Sequence, residues 1–253
     1  NQNGKPFLPA GGLTMPYPDL RHYTLREYGN RVGIYRFLRS IDKYSVQPTF
    51  ALNARVAERH SYLIDTLKER GDEILCHGFH MDALHHGGQD IAEERELIER
   101  SLSTLRELSG QDVLGWISPD RSESENTPEL LVQHGVQYFC DWVNDDMPYV
   151  FKTEVGELIA MPLSQELEDT FILMNNQHRV ESYVEQICDA CDFLLAEASE
   201  QGGRILSLNI HPWMLGQPHR IGKLEEVFEY VTSHPDIWCA TASDILNEYK
   251  ASN

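Results

Sequence analysis

Apolar residues recur along this chain in two rhythms. Spacings of three and four residues run through residues 31–42, 54–70, 91–108, 128–135, 181–200, 222–233 and 242–250, and this period predicts helices. Short, nearly continuous apolar runs at residues 46–52, 73–76, 113–117, 137–140, 158–163, 204–210 and 237–240 alternate with them and predict strands. Such alternation is expected of parallel strands joined by crossover helices. The run Ile205-Leu206-Ser207-Leu208-Asn209-Ile210 has few polar positions, as a strand covered on both faces should. Two helix starts are marked by side-chain chemistry: Pro128 follows Thr127 as a first-turn proline behind an N-cap, and Thr241-x-x-Asp244 has the form of a capping box. The first 28 residues, rich in Gly and Pro and without periodicity, read as an extended N-terminal loop. With no internal linker or repeat, residues 1–253 are expected to form one domain. No glycine-rich fingerprint follows any strand, so a β/α barrel fits better than an open dinucleotide-binding sheet.

Composition narrows the partners. Lys plus Arg number 21 against 40 Asp plus Glu, a formal charge of −19, which excludes affinity gained by neutralising phosphates. Nucleic acid and anionic membrane surfaces are therefore not expected partners, and a small-molecule substrate is. No apolar run approaches the roughly 18 residues that a membrane span needs. The five cysteines are odd in number and mostly embedded in apolar stretches, which favours reduced thiols and a cytoplasmic setting. Cys188-x-x-Cys191 falls within a helical segment with no second pair nearby, so it reads as structural.

Chemistry in parallel α/β folds gathers at the C-terminal ends of strands. Here those ends carry His77-Gly78-Phe79-His80, then Ser118-Pro119-Asp120, then Asp141-Trp142-Val143-Asn144-Asp145-Asp146. They are followed by Gln165, Glu166, Glu168 and Asp169, and by His211-Pro212-Trp213. Any one group could merely mark a strand end, but five ends bearing His, Asp, Glu or Trp point to a site. His211, directly after the most apolar run, is the leading acid–base candidate. His77 and His80 have a spacing that two metal ligands could use, whereas His85-His86-Gly87-Gly88 looks like an exposed loop. Signatures of covalent serine or cysteine catalysis and of nucleotide hydrolysis are absent from the sequence.

Five stretches together resemble the polysaccharide deacetylase (NodB-homology) family, and most of all its branch of cofactor-independent allantoinases. They are Tyr28-Gly29-Asn30-Arg31-Val32-Gly33, His77-Gly78-Phe79, Gly115-Trp116 ahead of Ser118-Pro119, the run from Cys140 to Tyr149, and the run from His211 to Ile221. The resemblance implies a distorted (β/α)7–8 barrel that hydrolyses C–N bonds of acetamido sugars or cyclic ureides, and a homo-oligomer. His211 matches the family's general acid, and Asp141-Trp142 matches the motif that orients the site. His77 matches the first metal-binding histidine, but Met81 stands where the second belongs, leaving His80 as a substitute. Ile117 occupies the place of the family's arginine. The strand bearing the family's first motif is not found after Asn1, so the chain reads as beginning inside a larger protein.

The resulting expectation is water attack on an amide carbon with His211 as acid, with the base on the strand not found after Asn1 or else Glu166, and with Asp141 as the catalytic carboxyl that orients the site. Trp142, Trp213, Pro119 and Asp145 are expected to bind substrate. A metal-free reaction is favoured because catalytic zinc typically takes three protein ligands. The alternatives are a zinc-dependent sugar deacetylase using His77 and His80, and a barrel that binds a small amide or carbohydrate without turning it over.

Overall fold

The computed structural model describes residues 19–252. The chain divides into two compact units, one formed by Asn1–Val46 with Leu163–Cys239, the other by Gln47–Pro162 with Ala240–Asn253.

The second unit holds the sheet. Its strands are β1 (Thr49–Leu52), β2 (Glu73–Cys76), β3 (Gly115–Trp116), β4 (Tyr138–Phe139), β5 (Tyr149–Lys152) and β6 (Glu157–Ala160), in the spatial order β1-β2-β3-β4-β6-β5. All neighbours are parallel except the β5–β6 hairpin. In β2, Ile74, Leu75 and Cys76 are all buried, as expected of a strand covered on both faces. Edge strand β5 instead alternates between half-buried and exposed positions, and its period-two pattern was not singled out in the sequence.

Among the described residues, the helices are α1 (Leu20–Tyr28), α2 (Ile34–Tyr44), α3 (Ala54–Arg59), α4 (Ser61–Arg70), α5 (Ile91–Ser109), α6 (Thr127–Gln133), α7 (Val180–Gln201), α8 (Ile221–Thr232) and α9 (Ala242–Ser252). The longest in the sheet unit, α5, buries Ile98, Leu102 and Leu105 at helical spacing. Asp90 caps its start by accepting from the N–H groups of Ala92 and Glu93, and left-handed Gly110 ends it. The capping box at α9 is reciprocal: Thr241 N–H donates to Asp244 Oδ2 (3.1 Å), and Asp244 N–H donates to Thr241 Oγ1 (3.2 Å).

Three expectations change. Of the expected N-terminal loop, residues 1–18 lie outside the described residues, and the rest is helical from Leu20. Asp19 starts that helix by accepting from His22 N–H, and because the helix buries no residue it leaves no apolar period to read. Residues 204–210 and 237–240 carry no ladder among the described residues. An apolar run supplies side chains for burial, but a strand also needs a neighbouring backbone. Residues 204–210 are half-buried throughout, and Ser207 uses its hydroxyl to accept from Ser164 N–H.

Strand β2 leads into His77-Gly78, where Gly78 has φ +64° and a Cβ would lie 2.7 Å from the Pro119 ring. Both the backbone and the space demand glycine. Gly78→Ala is expected to lower the unfolding free energy by about 2–4 kcal/mol, and Thr241→Ala by about 1 kcal/mol through the lost cap. Denaturant titration of each variant measures both values.

Candidate functional site

Each unit assembles a polar cluster from the loops flanking its elements. In the first unit, Asp169 is fully buried and its carboxylate meets His211 twice. Oδ1 lies 2.7 Å from His211 Nδ1, and Oδ2 accepts from the His211 backbone N–H at 2.8 Å. Asp169 in turn donates its own N–H to Asn209 O at 3.3 Å. One carboxylate thus fixes the backbone, ring orientation and tautomer of His211: Nδ1 carries a proton toward Asp169, and Nε2 is left for chemistry. The imidazole remains 31 % exposed, enough for a substrate to reach it. Burial alone would depress its proton affinity, but the Asp169 charge and hydrogen bond, with Glu168 behind them, reverse this and hold His211 above the usual imidazole range. Arg26 opposes that rise. Glu168 is itself held by Asn209 Nδ2 at 3.0 Å and by the Thr170 hydroxyl.

Trp213 lies beside this pair, its ring centroid 5.7 Å from that of His211 and its face under the Arg26 guanidinium at 5.0 Å. The turn that carries both rings rests on the π-helical segment Gly29–Gly33, where a Cβ on Gly33 would fall 2.0 Å from Pro212 O. The Tyr28-Gly29-Asn30-Arg31-Val32-Gly33 motif is therefore a smooth seat for the histidine turn. Arg36 secures the far end by donating to Gly216 O at 2.6 Å.

In the second unit, β3 and β4 run parallel and deliver Ser118 and Asp141 side by side. Asp141 Oδ1 accepts from Ser118 N–H and Oδ2 from the Ser118 hydroxyl, both at 2.7 Å. The buried Trp116 indole donates to Ser118 Oγ at 2.8 Å. An indole only donates, so the serine proton must point to Asp141. Burial and the neighbouring Glu123 carboxyl push Asp141 up to about 8. Burial also raises Glu123, whose Oε2 accepts from Trp142 Nε1–H at 2.8 Å. Trp142 is 39 % exposed and packs edge-on against Phe151 at 4.9 Å. Between Pro119 and Ser122, Asp120 and Arg121 both have left-handed backbones, at φ 57° and 50°. Each costs on the order of 1 kcal/mol or more, a strain that tends to collect at functional sites.

The remaining candidates divide as follows. Pro119 is buried against Gly78. Asp145 is exposed and accepts from Met147 N–H at 2.9 Å, closing its own turn. Glu166 is exposed, and the carboxylate that meets His211 is Asp169, three residues later. His77 Nδ1 donates to Ile117 O at 2.9 Å. His80 Nδ1 accepts from Asp82 N–H at 3.3 Å, and burial lowers its affinity for a proton. Among the described residues no three His, Cys, Asp or Glu side chains are placed to hold a metal ion, so the donor set falls short of a catalytic zinc site. His85, expected in an exposed loop, is buried: its Nδ1 lies 3.1 Å from Glu94 Oε1, both side chains fully enclosed. Glu94 also takes the hydroxyls of Ser124 (2.6 Å) and Thr127 (2.5 Å).

Two residues were missed as site members. Asp169 stood in the polar run after the fifth expected strand, but a list of four polar side chains there does not say which one turns inward. Glu123 had no signal, since it lies five residues beyond Ser118 in an ordinary polar loop.

Comparison with known proteins gives the same picture. A family model for polysaccharide deacetylase matches residues 27–139. A Schizosaccharomyces pombe protein assigned by name to the polysaccharide deacetylases is 24% identical over 268 residues, covering 98% of this chain and 83% of that protein. Among solved structures, PuuE allantoinase superposes with a TM-score of 0.87 at 28% identity, covering 96% of this chain and 80% of its own. A probable polysaccharide deacetylase from Pseudomonas aeruginosa PAO1 gives 0.86 at 27% identity, with 96% and 81% covered. The parallel strands and crossover helices are thus similar to those of the NodB-type β/α-barrel proteins, and over residues 27–139 the chain is similar to the polysaccharide deacetylase family.

Proposed function

We propose that this chain hydrolyses a non-peptide C–N bond of a small ureide or an N-acetylated sugar by general acid–base attack of water. The observation that carries the reading is the Asp169–His211 pair. An amide nitrogen leaves only if it is protonated as the bond breaks, so the reaction needs an acid still charged near neutral pH. His211 meets that need: its Nδ1 proton is committed to buried Asp169, its Nε2 is reachable, and its proton affinity is raised by the two carboxylates. The attacking water needs a base. Glu166, exposed in the same unit as His211, is one candidate. Trp213, in the unit of His211, and Trp142, in the sheet unit, each offer a flat apolar face of the kind on which a ureide ring or a sugar can stack.

The two substrate classes share this chemistry and differ in what surrounds the carbonyl. The PuuE allantoinase likeness supports a ureide, and the family model and the yeast relative support an N-acetylated sugar. Allantoin and N-acetylglucosamine oligomers, assayed side by side for product release, separate them. On the substrate that is turned over, His211→Ala is expected to lower kcat/KM by about 10²–10⁴-fold. Asp169→Asn should move the alkaline limb of the pH–rate profile to lower pH, because an acid with weakened proton affinity loses its proton earlier. Full activity in His211→Ala, or an unmoved alkaline limb in Asp169→Asn, contradicts the assignment.

A further inference from the structure

We propose that Glu123 is a positioning residue for Trp142, acting as one half of a carboxyl pair with Asp141 in which a single proton is shared. The inference rests on the reading of Trp142 as a substrate wall.

Trp142 sits on the turn after β4 with more than a third of its surface open, and two contacts fix its plane. One is the edge-on packing against Phe151, which is itself edge-on to Phe139 at 5.3 Å. The other is the 2.8 Å hydrogen bond from the indole to Glu123 Oε2. Phe151 alone would let the ring slide; the hydrogen bond fixes its rotation. Glu123 is in turn held from behind. Its Oε1 is enclosed without a hydrogen-bond donor, and its carboxyl lies against that of Asp141. Both Asp141 oxygens already accept from Ser118, whose hydroxyl direction is dictated by Trp116. Both Ser118 donors are therefore taken by Asp141. Two carboxylates facing each other this way cannot both ionise cheaply, and one proton between them supplies the donor that Oε1 lacks.

Other charged and titratable groups felt by the pair are Arg121 and the Cys140 thiol at Asp141, and His85 with Glu94 at Glu123. Arg121 offsets the single remaining negative charge, and Glu94 discourages a second. Losing the shared proton at high pH would set two negative charges against each other, and Glu123 would give up its hold on the indole.

The test follows Trp142 directly and does not need turnover. Its emission is isolated as the difference between the unaltered protein and Trp142→Phe, scanned from about pH 5 to about pH 10. A single titration is expected in that difference. Glu123→Gln keeps an acceptor for the indole and an amide donor toward Asp141 but carries no titrating proton, so it should abolish the titration while retaining the low-pH emission. On a substrate that is turned over, Glu123→Ala should raise KM about tenfold with a much smaller effect on kcat, and it should add nothing in a Trp142→Phe background. A flat difference emission, or a Glu123→Gln titration like that of the unaltered protein, overturns the proposal. So does a further loss from Glu123→Ala when Trp142 is already absent. A titration present without turnover of either substrate class supports the carboxyl pair and removes the hydrolase reading instead.

Discussion

A carboxylate taken out of water must be answered by donors, and the buried acids Asp169, Glu94 and Asp141 impose that requirement on the loops of this chain. An unpaired charge in such a place costs several kcal/mol, a large fraction of what a domain has in reserve. Asp169 is satisfied by the ring and backbone of His211, Asp141 by the hydroxyl and backbone of Ser118, and Glu94 by His85, Ser124 and Thr127. Each solution pins a loop that the sheet and helices leave free. The loops that carry chemistry are thus ordered by electrostatics at their roots, while their outer groups, His211 and Trp142, stay within reach of solvent.

The same requirement explains why the two clusters have different chemical characters. Asp169 faces a group that can become a cation, so its charge is used to hold a proton on the imidazole. Asp141 faces another acid, so it is pushed toward the neutral form. The strained turn at Asp120 and Arg121 lies within the second cluster, between Ser118 and Glu123, and its cost is offset by the bonds on either side. The charge of −19 contributes little here, because many of the acids sit on exposed helix faces such as that of Glu93 and Glu96 on α5.

Repeating patterns were legible in the sequence, and tertiary choices were not. Seven helical segments were legible from apolar spacing, although the one expected over residues 54–70 is two helices, α3 and α4, interrupted at His60, and five of the strands appear in the expected order because short apolar runs between helices have few other places to go. Helix α1 escaped notice because it buries no face, and residues 204–210 read as a strand because side-chain hydrophobicity does not reveal whether a neighbouring backbone is present. In the candidate site, His211 was visible from its position after an apolar run. Its partner was not, since Gln165, Glu166, Glu168 and Asp169 are equivalent until the backbone turns one of them inward. His85 makes the same point from the other direction: two histidines before two glycines suggest solvent, yet Glu94, on a helix read correctly as amphipathic, draws one of them into the interior.

The central claim is that Asp169 holds a proton on His211 at a pH where a free imidazole would release it. Nitrogen-detected magnetic resonance of the His211 ring, titrated in the unaltered protein and in Asp169→Asn, tests it most directly. The account predicts a midpoint above the roughly 6.5 of an ordinary histidine, with Nδ1 keeping its proton throughout, and a clear fall of that midpoint when Asp169 is neutralised. A midpoint at or below the ordinary value that does not move in Asp169→Asn would contradict it.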